Sequence, residues 1–599
     1  MCGIAGIIGN YNENQLDAML LSQHHRGPDA TGKYFDEGCI ALGHNRLAII
    51  DLSPKSNQPF IDNSGRYVLV FNGEIYNYIE LKATLQNQYD FKTESDTEVL
   101  LAAYSIFGRG CLEKLNGMFA FAIWDNEDKK LFAARDRFGV KPFYYSIKSQ
   151  SLFFSSEIKA LHAAGISKIP NEKVWASYFA FGSYGMPDET FWEGIVQLQG
   201  GHFLEYENRQ LTIQKWYCFE DEVAKQPQNL TFEQAKEQYV GLLKESIQLR
   251  FRADVPVGFN ISGGLDSSVL LALVNLQENS KDKFNCKTGL RPLDKLGTGL
   301  AQTDPILERQ GAINAYTFYT NNPDYDELPW VEKMIAKTHN PLTKVLLQID
   351  EVPALAEKMA LLQEEPYGGI PTLAYAKIFE QARKDKVLVL LDGQGMDEQW
   401  AGYDYYTQHN EATIQGITDS PFKSNMLSAS FLAKAEKPVY PKPFDDAVLN
   451  KQYRDLFYTK IPRALRFNDR ISMAFSTELR EPFLDYRLVE FAFSLPLDYK
   501  IRNGARKFML REIASEYLAT DLVFAPKRAL QTPQREWLAE DLGQWLGECF
   551  AVIEKSSFLD WFNKEELKRE LQLYFDGNRQ SSFHIWQCIS FCEMLNIID

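Results

Sequence analysis

The sequence lacks the features of a secreted or membrane-spanning protein. No uninterrupted apolar run approaches the roughly 20 residues that a membrane span requires. The start has no positively charged segment followed by an apolar core, so no signal peptide is expected. The prediction is a cytoplasmic protein with no membrane partner.

Cysteine is sparse, which argues against a disulfide framework. No CxxC pair occurs among the eight cysteines, which are Cys2, Cys39, Cys111, Cys218, Cys286, Cys549, Cys588 and Cys592. This pattern is typical of reduced cysteines and not of a zinc site. Cys588 and Cys592 stand four apart in a segment with helical apolar spacing, so core packing is the preferred interpretation.

Positive charge is also in short supply. The chain has 64 lysines and arginines against 80 aspartates and glutamates, a formal net charge of −16. This balance argues against nonspecific binding to nucleic acid or to an anionic membrane surface. Any anionic ligand must therefore be held by local donors.

What is present is a chain long enough for more than one hydrophobic core. Its 599 residues are 45% hydrophobic and 24% charged and contain no low-complexity tract, so it is expected to fold throughout into about two to four domains. A polar, proline-containing stretch marks the predicted boundary. The predicted domains are 1–210 and 231–599, with a linker at 211–230.

Strand patterns dominate the first domain. Short alternating or apolar runs separated by turn residues continue to about residue 205, which predicts an α+β sandwich of two antiparallel sheets. One helix is predicted at 95–108, with Ser95 or Asp96 as its cap.

Helical patterns and isolated strands alternate in the second domain. The segment ADVPVGFNIS predicts a buried strand that leads into a helix, SSVLLALVNLQ, and the segment KDKVLVLLDG predicts another buried strand. This alternation predicts an α/β domain with a parallel sheet covered by helices. The last stretch of about 150 residues is predicted to be almost wholly helical.

Cys2 gains significance from the motifs that follow it. Once Met1 is removed, Cys2 would carry a thiol (reference pKa roughly 8.5) and a free α-amine (roughly 7.7–8.0) that can take the thiol's proton. The motifs that follow are HHRGPDATG at 24–32, HNRLAIID at 44–51, FNGEIYN at 71–77 and SDTEV at 95–99. A cysteine at position 2 is by itself no sign of catalysis, so the prediction depends on these motifs.

In this order, the motifs closely resemble the class II glutamine amidotransferase domain of the N-terminal nucleophile hydrolases. The resemblance implies that Cys2 attacks the glutamine amide and that Asn72 and the backbone of Gly73 form the oxyanion hole. It also implies that Arg46, Glu74 and Asp96 bind the glutamine carboxylate and α-ammonium group.

A second motif, FNISGGLDSSVL at 259–270, stands between a predicted strand and a predicted helix. Gly263 and Gly264 allow close approach of an anion, and the helix-start amides with Ser262, Ser267 and Ser268 offer donors to phosphate. The P-loop pattern GxxxxGK[ST] is missing, so a kinase-like phosphate site is not expected.

The SGGLDSS string resembles the pyrophosphate loop of ATP pyrophosphatases, which cleave ATP to AMP and pyrophosphate. The resemblance implies that Asp266 and Asp397, the latter in LLDGQGMDEQWAGY, hold Mg²⁺. The implied ATP-binding residues are Ile261, Ser262, Gly263, Gly264, Asp266, Ser267, Ser268 and Gly393.

Two further segments, RFNDRISMAFSTELREPFLD at 466–485 and GARKFMLRE at 504–512, extend the resemblance over nearly the whole chain. The chain resembles the glutamine-hydrolysing asparagine synthetase family. This implies that Lys507 faces the charge developing at the α-phosphorus, that a protected passage carries ammonia between two sites, and that the protein is a homodimer. A buried ion pair is the preferred interpretation of Arg480 and Asp485.

The departures from the family pattern lie near the acceptor chemistry. Asp392 stands where the family has serine, and Gln394 replaces a glutamate that acts as a base, a role that could move to Glu398. The segment 279–313 is predicted to be a mobile lid or a new specificity loop, with a solvated insertion as the alternative. The segment 525–537 also differs from the family pattern.

The simplest predicted reaction is therefore ATP-dependent amidation of aspartate by glutamine. One alternative is amidation of another carboxylate, such as a uronic acid, a sugar acid or a secondary metabolite. A further alternative is a paralogue that retains only glutaminase activity or serves as an inactive scaffold.

Overall fold

A computed structural model describes residues 2–36, 38–279, 313–408, 420–525 and 532–598, without the side chains of 276–279. Most of the predicted 279–313 insertion, part of the 525–537 segment and Cys286 lie outside the described residues.

The N-terminal part of the chain is built on strands. They are β1 (Gly3–Ile8), β2 (Ala30–Asp36), β3 (Ile40–Arg46), β4 (Phe60–Ile61), β5 (Tyr67–Ile75), β6 (Gly117–Asp125), β7 (Lys130–Arg135), β8 (Tyr144–Lys148), β9 (Ser151–Ser155), β10 (Val196–Gln197), β11 (His202–Glu207) and β12 (Gln210–Lys215). Within the described residues they form two antiparallel sheets, ordered β10-β8-β9-β1-β3-β2 and β12-β11-β7-β6-β5-β4. The predicted sandwich is confirmed.

Alternation along β5 determines what lies between the sheets. Val68 and Val70 pack against the first sheet, whereas Leu69 and Phe71 pack against the helices on the opposite face. Because side chains alternate along a strand, Asn72 shares the inward face with Val68 and Val70. The hydrophobic pattern thus directs the polar end of β5 toward the start of β1.

Helices cover the sheets and make up most of the C-terminal part. They are α1 (Glu13–Ser22), α2 (Tyr78–Leu85), α3 (Asp96–Phe107), α4 (Ile158–Ala163), α5 (Glu172–Phe181), α6 (Phe219–Ala224), α7 (Phe232–Arg250), α8 (Leu265–Asn279), α9 (Leu328–Thr338), α10 (Val352–Gln363), α11 (Ile370–Lys384), α12 (Met396–Gln399), α13 (Ala429–Leu432), α14 (Ala447–Arg454), α15 (Lys460–Met473), α16 (Tyr486–Ser494), α17 (Leu497–Lys500), α18 (Phe508–Ser515), α19 (Thr520–Val523), α20 (Gln534–Ala539), α21 (Gly543–Lys555), α22 (Lys564–Phe575) and α23 (Phe583–Ile598). Ser95 caps α3 by accepting from the backbone N–H of Thr97, as predicted.

A parallel sheet forms the centre of the C-terminal part. Its strands are β13 (Val257–Asn260), β14 (Ala315–Tyr319), β15 (Leu342–Leu346), β16 (Val389–Leu391) and β17 (Glu478–Arg480), in the order β15-β14-β13-β16-β17. The order reverses between β13 and β16. In open parallel sheets this reversal leaves a crevice at the carboxyl ends of the strands where ligands bind.

The C-terminal stretch is mostly helical but not wholly so. It contributes β17 to the parallel sheet and a short hairpin of β18 (Ile501–Arg502) and β19 (Ala505–Arg506). These short strands carry too little pattern to be predicted from sequence. Cys588 and Cys592 are buried in the core, as expected. Over the part of the chain that is described, no helix has the length and apolar content needed to cross a membrane.

Candidate active site

Cys2 lies buried at the start of β1, opposite the inward face of β5. Its backbone N–H donates to Asn72 Oδ1 (3.0 Å), and its thiol donates to the carbonyl oxygen of Leu47 (3.9 Å). Burial raises the pKa of the Cys2 thiol, although nearby Arg46 lowers it. A nucleophilic thiolate here therefore needs a base close by.

Asn72 and Gly73 lie inside β5 and not in a turn. The buried Asn72 Nδ2 has no hydrogen-bond partner among the described residues, which leaves a donor for an oxyanion beside Cys2. Gly73 has φ +156°, and a Cβ added there would lie 2.1 Å from the carbonyl oxygen of Met118. Only glycine fits this position without moving β6.

Replacing Gly73 with alanine is expected to lower the free energy of unfolding by about 3 kcal/mol, because the clash is with backbone. Urea denaturation of the purified variant measures the change. Gly65→Ala is the matched control, since Gly65 also has positive φ (+75°) but nothing lies within 4 Å of its added Cβ. An equal loss in the two variants would mean that strain in φ, and not the contact with β6, requires Gly73.

Buried carboxylates gather next to Cys2. Asp96 Oδ2 accepts from the backbone N–H of Ile75 (2.9 Å), and Glu74 Oε2 lies 3.6 Å from Arg480 Nη2. Burial raises the pKa of Asp96 to about 6, and burial together with Glu478 and Asp96 raises the pKa of Glu74 well above its usual range. One guanidinium does not balance these carboxylates, so the cluster suits a cation such as an α-ammonium group.

Arg46 holds the loop that follows β3. Its guanidinium donates to the carbonyl oxygens of Ser53 (2.8 Å), Ile50 (3.4 Å) and Asp51 and to Asn57 Oδ1 (2.8 Å). Arg46 is one of the charged groups that act on the Cys2 thiol, but these contacts already occupy both of its terminal nitrogens. Its binding of a glutamine carboxylate stays a prediction.

Arg26 is a residue that sequence reasoning left without a role. It is fully buried, its Nε donates to the carbonyl oxygen of Cys2 (3.0 Å), and its Nη1 donates to Glu157 (2.8 Å) and Asp469 (2.8 Å). It therefore fixes the nucleophile's backbone to α15 of the C-terminal part. The sequence signal that could have pointed to Arg26 is its position within the motif HHRGPDATG.

The predicted ion pair between Arg480 and Asp485 is wrong, although both side chains are buried. Arg480 pairs with Glu478, two residues away on the same face of β17. Asp485 instead caps α16 and pairs with Arg250 (3.1 Å) and Arg487 (3.0 Å). Arg480 also donates to the carbonyl oxygens at 250 and 252, so β17 is tied to the end of α7.

The loop between β13 and α8 is compact and held by hydrogen bonds within itself. Ser267 Oγ donates to the carbonyl oxygen of Ser262 (2.8 Å), and the Gly264 N–H donates to Ser262 Oγ (3.3 Å). A Cβ added at Gly393, in the loop after β16, would lie 3.2 Å from the Ser267 backbone nitrogen. The loops after the two central strands therefore touch each other at the point where strand order reverses.

Lys507 bridges the first turns of α8 and α12, the helices that follow these two loops. Its Nζ lies 2.6 Å from Asp266 Oδ1 and 2.7 Å from Asp397 Oδ1. Burial lowers the pKa of Lys507, but Asp266 and Asp397 outweigh burial and raise it. Lys507 is therefore a buried, charged lysine and not an exposed helical one.

The carboxylates of Asp266 and Asp397 are suited to hold Mg²⁺. Asp266 and Asp397 both converge on one cationic atom, and carboxylate and phosphate oxygens are ligands that Mg²⁺ prefers. Within the described ranges, no group of three or more His, Cys, Asp or Glu is arranged to hold a metal alone. The remaining ligands would therefore come from phosphate and water.

Polar groups surround the departures from the family pattern. Tyr375 OH donates to Asp392 Oδ2 (2.6 Å), whose other oxygen accepts from the Gly393 N–H (2.6 Å). Glu398 is fully buried and accepts from Tyr403 OH (2.9 Å). Burial and Asp397 raise the pKa of Glu398 to about 7, a value suited to proton transfer near neutral pH.

Comparison with known families divides the chain into two matches. Residues 1–217 match the family described as a glutamine amidotransferase domain, and residues 238–596 match the family described as asparagine synthase.

Similar proteins span almost the full chain. The glutamine-hydrolysing asparagine synthetase 3 of Bacillus subtilis is 30% identical, over 91% of this chain and 89% of that protein. The glutamine-hydrolysing asparagine synthetase 1 of the same organism is 27% identical, over 99% of this chain and 96% of that protein. The amidase chry2 of Gibberella zeae is 28% identical, over 94% of this chain and 96% of that protein.

Proposed function

The chain belongs to the glutamine-hydrolysing asparagine synthetase family, and we propose that its acceptor is aspartate, amidated through an aspartyl-adenylate. Membership establishes an ATP-dependent ligase that uses glutamine as the amide donor. The observation that supports adenylation is the Lys507 bridge between Asp266 and Asp397 in the crevice of the parallel sheet, and the choice of aspartate rests on the relatives named asparagine synthetase. We assign the two half-reactions to domains at 1–210 and 231–599, joined by 211–230.

The first half-reaction is glutamine hydrolysis at Cys2. The α-amine released by removal of Met1 takes the thiol proton, and the thiolate sulfur bonds to the amide carbon. The α-ammonium then returns this proton to the amide nitrogen as the C–N bond breaks, which releases ammonia. Asn72 Nδ2 and the Gly73 backbone N–H stabilise the oxyanion, and Glu74 and Asp96 hold the substrate's ammonium group. Water then cleaves the thioester to give glutamate.

The second half-reaction activates the acceptor. An aspartate side-chain carboxylate oxygen bonds to the α-phosphorus of ATP, and the bond to pyrophosphate breaks. Lys507 faces the charge that develops there, and Asp266 and Asp397 would hold Mg²⁺, which neutralises phosphate charge when bound. Ammonia then bonds to the acyl carbon, AMP leaves, and asparagine forms.

Strand β17 supports a protected passage for ammonia between the sites. The side chains of Glu478 and Arg480 adjoin the carboxylate cluster near Cys2. The carbonyl oxygen of Arg480 accepts from the Asp392 N–H (3.0 Å) beside the ATP loop. One short strand therefore reaches both sites, and a buried route past it would keep ammonia unprotonated.

Glu398 is our candidate for the proton acceptor during amide formation, because Gln394 cannot act as a base. Glu398→Gln is expected to lower asparagine formation about 100-fold and to leave aspartate-dependent ATP–pyrophosphate exchange unchanged, because exchange precedes amide formation. Quenched-flow measurement of both steps checks this. Gln394→Glu is the comparison variant and should keep full asparagine formation. Equal losses in exchange and amide formation would make Glu398 a structural residue.

Glutamine binding is expected to weaken at acid pH. Asp96 has a raised pKa of about 6, so it is ionised at pH 7 and becomes protonated as the pH falls below 6. Because the ionised form attracts the ammonium group, the Kd for glutamine should rise about tenfold from pH 7 to pH 5. Calorimetry on the Cys2→Ala variant measures binding without turnover.

The control for this titration is Asp90→Asn, which removes an exposed carboxylate and should retain the pH dependence. Asp96→Asn should weaken binding at pH 7 and abolish the step near pH 6. A Kd that is equal at pH 5 and pH 7 in Cys2→Ala would remove Asp96 from the glutamine site.

The proposal is tested by assaying purified protein, with its N-terminus checked by intact mass, in Mg-ATP, glutamine and aspartate. Stoichiometric AMP, pyrophosphate and asparagine are expected. If uronic or sugar acids drive pyrophosphate release and aspartate does not, the acceptor is wrong. If glutamine is hydrolysed but no acid drives release, the protein is only a glutaminase. Sedimentation of the same sample tests the predicted homodimer.

A further inference from the structure

A cavity of about 1010 Å³ has, in its described lining, none of the residues assigned above to the Cys2 site or the Lys507 site. One wall is the loop after α5, at 181–189, and the other runs through 437–466, which includes α14 and the start of α15. A five-residue π-helical turn, Asp455–Thr459, joins those two helices at the cavity wall. Such turns inside α-helices occur often at functional sites.

The charge of this cavity is opposite to that of the whole chain. Among the described residues, seven lysines and arginines line it, against two carboxylates, Glu189 and Asp445, whereas the protein carries a net charge of −16. A concave surface of one sign concentrates ligands of the other sign. The cavity therefore selects anions even though the protein as a whole repels them.

Lys460 and Arg463 are among the cations of the lining that have no carboxylate partner in the described residues. Arg454 pairs with Asp455 and Arg466 pairs with Glu365. No carboxylate lies within 4.0 Å of Lys460 or Arg463 in the described part of the chain, and both contact tyrosine rings instead. Lys460 Nζ is 5.1 Å from the ring centre of Tyr403, and the Arg463 guanidinium is 5.4 Å from that of Tyr184. Lys460 and Arg463 stand three apart on α15, so they share a face.

Buried polar atoms in the lining also lack partners. Tyr406 is 1% exposed, and its hydroxyl has no hydrogen-bond partner among the described residues. The buried Nε of Arg466 is unpartnered in the same sense. Because unpaired buried polar groups are costly, these two donors are available to a ligand with acceptor oxygens.

We propose that this cavity binds a ring compound carrying two or more phosphate or carboxylate groups, held by Lys460, Arg463 and the hydroxyl of Tyr406. The tyrosine rings of its wall, at Tyr184, Tyr440 and Tyr458, supply flat surfaces for the body of such a ligand. The cavity also contacts the synthetase site, since the ring of Tyr403 touches Lys460 while its hydroxyl binds Glu398. This inference does not depend on the identity of the acceptor acid.

Binding is tested by calorimetry with fructose 1,6-bisphosphate and digalacturonate as probes, on full-length protein saturated with α,β-methylene ATP and Mg²⁺ so that the ATP site is filled. At least one probe should bind with a Kd below about 1 mM. Lys460→Gln combined with Arg463→Gln should weaken that binding about tenfold or more. Lys434→Gln, which removes a nearby lysine outside the cavity that pairs with Glu172, should leave it unchanged.

Tyr406→Phe distinguishes a ligand-binding role from a structural one. Loss of an unpartnered hydroxyl should leave the Tm of the free protein unchanged or raised, while probe binding weakens about threefold or more. No heat from either probe up to about 10 mM would overturn the proposal. Binding that is insensitive to Lys460→Gln with Arg463→Gln, or a lowered Tm in Tyr406→Phe with unchanged binding, would do the same.

A second assay decides whether the anion that binds in the cavity is a substrate or an effector. Digalacturonate, the probe with carboxylates, is an acceptor substrate that reaches the cavity if it is amidated with one pyrophosphate released per molecule consumed and if Lys460→Gln with Arg463→Gln weakens its binding. A probe that changes the rate of aspartate-dependent pyrophosphate release without being consumed is an effector. Both outcomes support the anion site, and failure of aspartate as substrate would leave the calorimetric result standing.

Discussion

Cys2→Ala is expected to lower glutamine-dependent asparagine formation at least about 1000-fold and to leave ammonia-dependent formation unchanged. The thiolate makes the first bond to the glutamine amide, and no neighbouring group of the site can replace it. Ammonium chloride at alkaline pH supplies ammonia directly to the synthetase site. The measurement is pyrophosphate release with each nitrogen source in turn.

Cys39→Ala is the matched control, because it removes a thiol from the same part of the chain without touching the Cys2 site. It should keep both activities. Loss of ammonia-dependent formation in Cys2→Ala would mean that the substitution disturbs the synthetase site through Arg26, which joins the Cys2 backbone to α15. Persisting glutamine hydrolysis would transfer the nucleophile's role to another residue.

Much of the first site was predictable because it is local. The apolar alternation of β5 was visible in RYVLVFNGEIYN, and it brings Asn72 to Cys2 once the two sheets pack. The proposed ATP loop was equally local, since a buried strand, a glycine pair and a helix start occur within one short stretch. In both places, strand pattern and turn chemistry agree with the tertiary fold.

The long-range partners were not predictable. Glu478 and Arg480 belong to a strand of only three residues, and their contact with the Glu74 cluster depends on how the two parts of the chain dock. The false Arg480–Asp485 pair arose from closeness in sequence, whereas the strand face and the helix cap determine the true partners. Lys460 carried no motif, because a cavity between distant segments leaves no pattern in either one.

Lys507→Met is expected to lower ATP cleavage at least about 1000-fold and to leave glutamine hydrolysis intact. Its ammonium group is the cation between Asp266 and Asp397, and its removal takes away the charge that faces the α-phosphorus. Pyrophosphate release and glutamate release, measured on the same sample, separate the two effects. Lys507→Arg should also be strongly impaired, since a planar guanidinium cannot place a point charge at the same position.

The pair of substitutions separates catalysis from folding. Lys507→Met leaves two partly buried carboxylates facing each other and is expected to destabilise the protein, whereas Lys507→Arg keeps a cation there and should preserve the Tm. Arg502→Gln, on the hairpin that leads to Lys507, is the matched control and should retain ATP cleavage. If Lys507→Arg keeps both its Tm and full pyrophosphate release, Lys507 serves only to neutralise Asp266 and Asp397. If release is lost while the Tm is kept, the lysine acts on the phosphate itself.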